Sequence, residues 1–202
     1  MCLLKWFIVP FMKLFVYESK GFKNIPKQGP AILVANHSSY IDAVLMRYFP
    51  DWFAGRMPRG IQSREWVEKS WFRSFLFLTM LRQIPTNGSI SKALEALTHG
   101  EMLMLFPEGG RSPDGKMQKC EHTGLGLLAE VTGVPVIPIG IEGTYEWWPK
   151  QRFLPTFRPR CIAIRAGKPM KFKGKQSKKN FLDFQRKVMQ KVAKLAKTKY
   201  TY

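Results

Sequence analysis

The stretch from Pro30 to Met46 constrains the fold more than any other part of this 202-residue chain. Residues 31–35 form a continuous apolar run, AILVA, after a Gly-Pro turn signal, which is typical of a strand buried on both faces. Residues 36–39 are polar and favour a helix cap, and residues 41–46 follow with nearly helical spacing of apolar side chains. The stretch therefore predicts a buried strand that turns into a helix through a polar junction.

His37 lies at this junction, and Asp42 lies in the first turn of the predicted helix. Imidazole is the side chain that exchanges a proton near neutral pH, provided that a neighbour fixes its tautomer. On an unbroken helix, five residues would turn the two side chains about 140° apart, so the pair requires His37 to lie outside the regular helix. One interpretation is a general base held by its carboxylate. The alternative is a structural histidine bonded to a loop carbonyl and an aspartate that caps the helix.

Apolar runs and amphipathic segments alternate along the rest of the chain. This alternation predicts the α/β class, with a layered, mixed and mostly parallel β-sheet and flanking helices. Residues 47–60 contain two prolines and two glycines, so we expect mostly loop there, with a short strand at 52–54. The predicted strands are 31–35, 82–85, 102–106, 134–140 and 161–166, and the predicted helices are 63–81 (with Ser63 as N-cap), 89–98 and 123–131.

The chain carries a formal net charge of +19, from 33 Lys and Arg against 14 Asp and Glu. Such an excess attracts polyanions, which include nucleic acid, an anionic membrane surface and phosphorylated substrates. The sequence has no zinc-finger or RNA-recognition motif, so no nucleic acid is expected as a partner, and a basic nucleic-acid-binding protein is the alternative class. Its three cysteines fit a reducing compartment, and no pair of them has zinc-ligand spacing.

Residues 3–17 are strongly apolar and aromatic, but they are fewer than the roughly 20 residues that span a bilayer. Trp6, Phe7, Phe11 and Phe15 crowd every face of a helix drawn through this segment. This pattern favours an interfacial helix that lies in the headgroup region, with its lysines near lipid phosphates. An N-terminal helix packed on the core is the alternative.

Basic residues dominate from residue 168 onward, where the sequence has a single acidic residue. Apolar residues recur at helical spacing between 181 and 195, which predicts a basic amphipathic helix. This helix either packs on the core with a solvated lysine face or lies on a membrane surface. The predicted organisation is a membrane-associating segment at 1–20, a domain with the candidate catalytic residues at 21–170, and the basic helix at 171–202.

Polar residues follow or flank three of the predicted strands, and ligand sites in α/β sheets gather outside the strand ends. Arginine suits phosphate because its planar fork binds two oxygens, and glycines let backbone N–H groups approach an anion. A base, its orienting carboxylate and an arginine beside a glycine-rich turn suit a phosphorylated acceptor whose hydroxyl loses a proton. The residues that the sheet is expected to bring together are His37, Asp42, Glu108, Gly109, Gly110, Arg111 and Arg82.

Three blocks of this sequence resemble those of one family. Residues 36–42, NHSSYID, match the NHxxxxD signature of the glycerolipid acyltransferases, the 1-acyl-glycerol-3-phosphate acyltransferases. Residues 106–112, FPEGGRS, are similar to that family's FPEGTRS block, and residues 134–139, VPVIPI, to its VPVIPV strand. The blocks occur in the family's order, and the resemblance extends over about residues 21–166, so the signal is far more specific than one His and one Asp.

The resemblance implies a glycerol-phosphate-acyltransferase-like fold and an acyltransferase catalytic domain at 21–170. It implies transfer of an acyl group from acyl-coenzyme A or acyl carrier protein to the free hydroxyl of 1-acyl-glycerol-3-phosphate, which gives phosphatidate. His37 would be the general base, Asp42 would hold its imidazole, and Arg111 would bind the phosphate in a site shaped by Glu108 and Gly109. No acyl-enzyme, bound cofactor or metal is expected, and the sequence has no Gly-x-Ser-x-Gly nucleophile elbow.

Two positions depart from the family pattern. Gly110 replaces a threonine, and a block that usually ends in Asp-Arg reads RQIPTN at residues 82–87, which leaves Arg82 as the candidate arginine. Another lysophospholipid or hydroxylated lipid is therefore the alternative acceptor, and a lipid-binding protein without activity is the alternative to an enzyme. The expected partners are a lipid membrane surface, the lysophospholipid and the acyl thioester or its carrier protein. The expected location is the cytoplasmic face of a membrane.

Overall fold

The structure is a computed structural model that describes residues 5–63, 83–86 and 90–202. The strands of this part of the chain are β1 (Val16–Lys20), β2 (Ala31–Ala35), β3 (Arg59–Ser63), β4 (Ile84–Thr86), β5 (Met102–Leu105), β6 (Val136–Glu142) and β7 (Ile162–Ala166). Its helices are α1 (Lys5–Lys13), α2 (Ile41–Ala54), α3 (Ser91–Thr98), α4 (Gly124–Thr132), α5 (Thr144–Trp147) and α6 (Lys178–Leu195), with a 3-10 turn at Phe22–Asn24.

The strands form one sheet in the order β1-β7-β6-β2-β5-β3-β4. Neighbouring strands are parallel except β6 and β7, which are antiparallel. β2 lies at the centre, where Ile32 is level with Leu103 of β5 on one side and Val136 of β6 on the other. All five residues of β2 are buried. The expectation of a mixed, mostly parallel sheet with a doubly buried strand at 31–35 is confirmed.

Helices cover both faces of the sheet, and the side chains of β2 alternate between them. Leu33 belongs to the core between the sheet and helices α1 and α2, whereas Ile32 and Val34 belong to the core beneath α3, α4 and α6. The end of α6 lies directly on β6 at Gly140, where a Cβ atom would come within 2.2 Å of the backbone of the residue that follows the helix. The loops that follow β2 and β5 leave the sheet at the same edge, because these two strands are parallel neighbours.

The terminal segments both contact the core and both expose a distinct face. α1 buries Val9 and Met12 against α2 and places the ammonium of Lys5 3.1 Å from the Asp51 carboxylate, but its aromatic residues Trp6, Phe7 and Phe11 are exposed. α6 buries an apolar stripe and leaves its lysines in solvent. In the described residues, no helix combines the length and the apolar character that crossing a bilayer requires. The division of the chain at residues 20 and 170 stays a prediction.

The interpretation of residues 47–60 as mostly loop, with a strand at 52–54, was wrong. α2 continues to Ala54 with Pro50 inside it, and residues 45–51 are all buried. Pro50 cannot donate to the carbonyl four residues earlier, but burial of the helix on the core outweighs that lost hydrogen bond. α2 ends at Gly55, whose left-handed conformation, with φ of 69°, lets its N–H donate to the carbonyl of Asp51.

Two other expectations concern the neighbourhood of the gap in the described residues. The predicted helix at 63–81 lies outside the described residues except for Ser63, which is the last residue of strand β3. The predicted strand at 82–85 is found as β4 at Ile84–Thr86, and Arg82 lies outside the described residues.

Candidate active site

The turn between β2 and α2 places His37 outside the helix and directs its ring toward Asp42. The Nδ1 atom of His37 lies 3.0 Å from Oδ2 of Asp42, and the Asp42 side chain is completely buried. Because the carboxylate can only accept, Nδ1 is the nitrogen that carries the proton in this pair. Nε2 is thereby left as the proton acceptor of the neutral ring, which remains 17% exposed.

A single oxygen of Asp42 holds the whole turn. Its Oδ2 atom also accepts the backbone N–H groups of Ser38 and Ser39, each at 2.7 Å. The other oxygen, Oδ1, is buried and has no hydrogen-bond partner among the described residues. The carboxylate therefore fixes the imidazole and the start of α2 together, and it lies at a helix N-terminus, where negative charge is stabilised.

Asn36 anchors the same turn to the neighbouring strand. Its side-chain amide donates to the carbonyl of Ile141 at 2.8 Å and accepts the N–H of Ile141 at 2.9 Å. This reciprocal pair continues the contact between β2 and β6 one step beyond the backbone ladder, which ends at Ala35 and Ile139. The first residue of the NHSSYID block thus sets the position from which His37 projects.

The loop after β5 packs directly on His37. The ring of Phe106 stacks on the imidazole, with 4.1 Å between ring centroids and 18° between the ring planes. Glu108 accepts the backbone N–H of His37 on Oε1 at 2.9 Å and the backbone N–H of Gln118 on Oε2 at 2.7 Å. The N–H of Ser112 donates to the carbonyl of His37 at 2.8 Å. Glu108 therefore binds main chain on both of its oxygens and holds the two loops together.

Burial raises the pKa of Glu108 to about 7. The cost of removing its charge from water outweighs the two N–H groups that favour the ionised form, and the negative charge of Asp42 adds to the increase. A carboxyl group that closes this turn thus ionises near neutral pH, far above its usual value of 4.5.

We expect this shift to appear in the stability of the protein. The folded pKa lies above the unfolded one, so the contribution of Glu108 is fully present below about pH 4.5 and is lost as the pH rises through about 7. The free energy of unfolding of the wild type minus that of Glu108→Gln should fall by about 3 kcal/mol between pH 4.5 and pH 8. Urea unfolding across this range measures it. The matched control is Glu121→Gln, at an exposed carboxylate of the same loop; a difference for Glu108→Gln that changes with pH no more than the control's would contradict the prediction.

Arg111 faces the same pocket from the end of this loop. Its guanidinium carbon lies 3.5 Å from the centroid of the Tyr40 ring, and its Nη1 atom is buried without a hydrogen-bond partner among the described residues. A buried donor without an acceptor is costly, so this atom suits an anionic group brought by a ligand. Gly109 allows the turn that precedes Arg111, because its φ of 75° is left-handed and its N–H donates to the carbonyl of Phe106.

These groups line a pocket of about 320 Å³. The residues that line it are His37, Ile61, Phe106, Gly109, Gly110, Arg111 and Lys150. Of the residues singled out from the sequence, the structure brings His37, Gly109, Gly110 and Arg111 to this pocket, with Asp42 and Glu108 behind the His37 main chain and ring. In the part of the chain that the structure describes, no group of three His, Cys, Asp or Glu side chains is placed to hold a metal ion.

Lys150 lines the pocket and Tyr40 packs against Arg111, and neither residue was predicted to belong to the site. The turn that joins β2 to α2, residues 36–40, is called the elbow below. Lys150 lies more than 100 residues after it, in the loop that follows α5. That loop reaches the elbow because Ser39 donates its hydroxyl to the carbonyl of Trp148 at 2.7 Å, and Trp148 contacts the Tyr40 ring at 5.3 Å. Tyr40 belongs to the NHSSYID block, so a cation–π contact of its ring with an arginine could have been proposed from the sequence. No pattern in the sequence near Lys150 indicated that this residue lines the pocket.

Comparison with known proteins decides the family. The model of the family described as Acyltransferase matches residues 17–142, which include the elbow, the Glu108–Arg111 turn and strand β6. The chain belongs to this acyltransferase family. The family to which the sequence blocks pointed is therefore confirmed.

The relatives carry a consistent name. The chain is 29% identical over 146 residues to the chloroplastic 1-acyl-sn-glycerol-3-phosphate acyltransferase of Arabidopsis thaliana, which covers 70% of this chain and 39% of that protein. It is 28% identical over 143 residues to the 1-acyl-sn-glycerol-3-phosphate acyltransferase of Pseudomonas aeruginosa, with 66% and 52% covered. This acyltransferase chain spans about half the length of the curated relatives it matches.

A solved structure matches over nearly the whole chain. The crystal structure of the 1-acyl-sn-glycerophosphate acyltransferase from Thermotoga maritima superposes with a TM-score of 0.73 and 28% sequence identity. The match covers 96% of this acyltransferase and 76% of that chain. It confirms that the layered α/β fold is the one adopted by an enzyme of this family.

Proposed function

We propose that this acyltransferase transfers an acyl group from a thioester to the free hydroxyl of 1-acyl-glycerol-3-phosphate. The observation that carries the proposal is the His37–Asp42 pair, with Nδ1 bound to a buried carboxylate and the ring lining a pocket that also holds Arg111 and Lys150. A base beside two cations suits an acceptor that has both a hydroxyl and a phosphate. The names of the relatives support the same acceptor.

The chemistry follows from the state of the imidazole. Nε2 of His37 takes the proton of the acceptor hydroxyl as its oxygen attacks the thioester carbonyl. Asp42 stabilises the resulting imidazolium through Nδ1. The tetrahedral intermediate then collapses: the C–S bond breaks, the sulfur leaves with the proton from Nε2, and a carboxylic ester has formed. His37 returns to its starting state, so the proton balance closes within one turnover.

Direct transfer is favoured over an acyl-enzyme because the hydroxyl and thiol groups of the described residues nearest the site are otherwise engaged. The hydroxyl of Ser38 lies 3.1 Å from that of Thr144, and the hydroxyl of Ser39 donates to the Trp148 carbonyl. Burial raises the pKa of the Cys120 thiol to about 11 and also raises that of Cys161. A neutral thiol is a poor nucleophile, so none of these side chains is prepared to accept the acyl group.

An apolar groove next to the His37 pocket suits the acyl chain. It has a volume of about 220 Å³ and shares Ile61, Phe106 and Gly109 with the pocket. Apolar side chains from α3, from the residue before it and from α4 form much of its wall: Ile90, Ala93, Leu125 and Leu128. Because the two spaces share residues, an acyl chain in the groove would bring its thioester carbonyl toward His37. The donor in this proposal is acyl-coenzyme A or acyl carrier protein.

The setting of the reaction in this proposal is the cytoplasmic face of a membrane. The acceptor is a lipid and both proposed thioester donors are soluble, so the enzyme must work where the membrane meets the aqueous phase. The net charge of +19 and the exposed aromatic residues of α1 suit an anionic lipid surface.

An acceptor panel with an Arg111 variant tests this function. We expect the purified protein to transfer an acyl group from acyl-coenzyme A to 1-acyl-glycerol-3-phosphate faster than to lysophosphatidylcholine or monoacylglycerol. Arg111→Gln should raise KM for the phosphorylated acceptor roughly 10- to 100-fold, because a hydrogen bond to a charged group contributes about 1.5–3 kcal/mol. KM for the donor should change little. Release of free thiol, measured continuously, follows the reaction.

Arg186→Gln is the matched control, since Arg186 is an exposed arginine of α6 and lies outside the pocket. It should leave both KM values as they are. Equal turnover of all three acceptors by the wild type, or an unchanged acceptor KM in Arg111→Gln, would refute the assignment of Arg111 to the phosphate. No thiol release with any acceptor would refute the enzymatic function.

A further inference from the structure

The loop that connects α5 to β7, residues 149–160, exposes large apolar side chains at its tip. Phe153 is 90% exposed, Leu154 63% and Phe157 55%. Single exposed apolar residues are ordinary, but a cluster of them on one surface marks an interaction site. This cluster is distinct from the pocket of His37, and the acyltransferase chemistry itself does not use it.

The tip is held in place by hydrogen bonds at its base. The indole N–H of Trp148 lies 3.2 Å from the carbonyls of both Arg152 and Phe153, and the N–H of Thr156 donates to the Trp147 carbonyl at 2.8 Å. Phe157 has a left-handed φ of 49°, which is unfavourable for a bulky residue. Strained backbone of this kind persists where surrounding structure enforces it, often at functional positions. The loop is thus built to present its apolar side chains outward.

The loop and α1 form one continuous surface. Phe157 packs on Phe15 and Trp147, with ring centroids 6.1 and 5.8 Å apart, and the N–H of Arg160 donates to the Leu14 carbonyl. Leu14 is itself 61% exposed and directly follows α1. The aromatic face of α1 therefore continues into the loop tip.

Positive charge surrounds the apolar tip. Lys150, Arg152, Arg158 and Arg160 are all exposed and belong to the same twelve-residue loop, which contains no acidic residue. Apolar and aromatic side chains flanked by Lys and Arg suit the interface of an anionic bilayer, because the rings enter the acyl boundary while the cations meet lipid phosphates. A protein partner with an acidic, apolar groove is the competing occupant, and the charge favours the bilayer because the whole chain is strongly basic.

The loop is connected to the catalytic elbow at its first residues. Lys150 lines the pocket of His37, and the preceding Trp148 accepts the hydroxyl of Ser39 and contacts Tyr40, the ring beneath Arg111. If the tip of the loop contacts lipid, the contact lies within a few residues of Lys150 and hence of the pocket mouth.

We propose that the 149–160 loop inserts Phe153 and Leu154 into an anionic bilayer and so holds the mouth of the His37 pocket at the lipid surface. The loop acts together with α1 as one membrane-contacting surface, and only the identity of the lipid drawn into the pocket rests on the proposed function. A lipid acceptor would then reach His37 from the bilayer without crossing water.

The full chain with Phe153→Ser and Leu154→Ser tests this. The probe is vesicles of two parts phosphatidylcholine to one part phosphatidylglycerol, and cosedimentation measures the partition coefficient. Loss of two apolar side chains that enter the bilayer should lower it at least about 100-fold. Phe153→Ser alone, at a position that is almost fully exposed, serves if the double variant fails to fold. Val131→Ser, an exposed apolar residue of α4 on the opposite face, is the control and should bind as the wild type does.

Activity separates this surface from the catalytic site. The double variant should keep wild-type turnover of acceptor dispersed in detergent micelles and lose it with acceptor in vesicles, whereas His37→Ala should bind vesicles normally. Unchanged vesicle binding by the double variant would overturn the proposal, as would an equal loss for Val131→Ser. If the wild type transfers no acyl group but the double variant still loses vesicle binding, the proposed enzymatic function is refuted, whereas the proposal that the loop contacts lipid is supported.

Discussion

Replacement of His37 by alanine is expected to lower kcat/KM for acyl transfer by roughly 10²- to 10⁴-fold, the usual contribution of a positioned general base. The fold should survive, because the contacts that fix residue 37 run through its main chain: its N–H donates to Glu108 and its carbonyl accepts from Ser112. The substitution removes the ring that bonds Asp42 and stacks on Phe106, but not the bonds that shape the turn. Steady-state thiol release, with both substrates varied, measures the effect.

His99→Ala is the matched control. His99 is an exposed histidine that directly follows α3, and its Nδ1 atom lies 2.8 Å from the carbonyl of Glu95, far from the pocket. Its removal should leave kcat/KM within a factor of two of the wild type. Wild-type turnover by His37→Ala with an unchanged unfolding midpoint would show that His37 is not the general base.

Most of the features of the fold and the site that the sequence predicted are local. Strand β2 is buried on both faces, so its five residues form an unbroken apolar run that is visible without knowledge of the partners on either side. His37 and Asp42 are five residues apart, and a turn between strand and helix suffices to bring them together. Patterns of this length can be interpreted from one segment because the physical causes lie within that segment.

The features that were not predicted depend on contacts between distant segments. Glu108 was expected in the acceptor site, yet its oxygens bind the main chain of residues 37 and 118, an arrangement that no local pattern encodes. Lys150 enters the pocket only because the loop after α5 packs on the elbow. α2 continues through Pro50 because its burial outweighs local helix propensity. Tertiary packing, rather than sequence near these residues, decides each case.

The contacts of Glu108 also connect the two halves of the site into one unit. The NHSSYID turn supplies the His37 main chain, and the FPEGGRS loop supplies both the carboxyl group that binds it and the phenyl ring that covers the imidazole. The loop continues to Arg111, which rests on Tyr40 of the first turn. Because each block completes the other, His37 and Arg111 keep a fixed relation across the pocket, as the positioning of two substrates in the proposed reaction requires.

Asp42→Asn and Asp42→Ala are expected to differ from each other, because one oxygen of Asp42 accepts three hydrogen bonds and the other accepts none from the described residues. An asparagine should place its carbonyl oxygen where Oδ2 lies, facing Nδ1 of His37 and the N–H groups of Ser38 and Ser39, since an amide nitrogen there would meet three donors. The imidazole would keep its tautomer and lose only the negative charge that stabilises the imidazolium. We expect kcat to fall about 10²-fold, less than the roughly 10⁴-fold loss typical of a triad aspartate whose replacement changes the tautomer.

Alanine at position 42 removes the acceptor from all three donors. A buried donor left without a partner costs about 1–3 kcal/mol, so Asp42→Ala should lose at least about 3 kcal/mol of unfolding free energy together with nearly all activity. Asp42→Asn should lose about 1–2 kcal/mol, because its NH₂ group occupies the buried position of Oδ1, where the described residues offer no acceptor. Urea unfolding and thiol release on the two variants measure both effects. An asparagine variant as inactive and as unstable as the alanine variant would show that the carboxylate acts through its charge alone and that the three-donor geometry does not direct the amide.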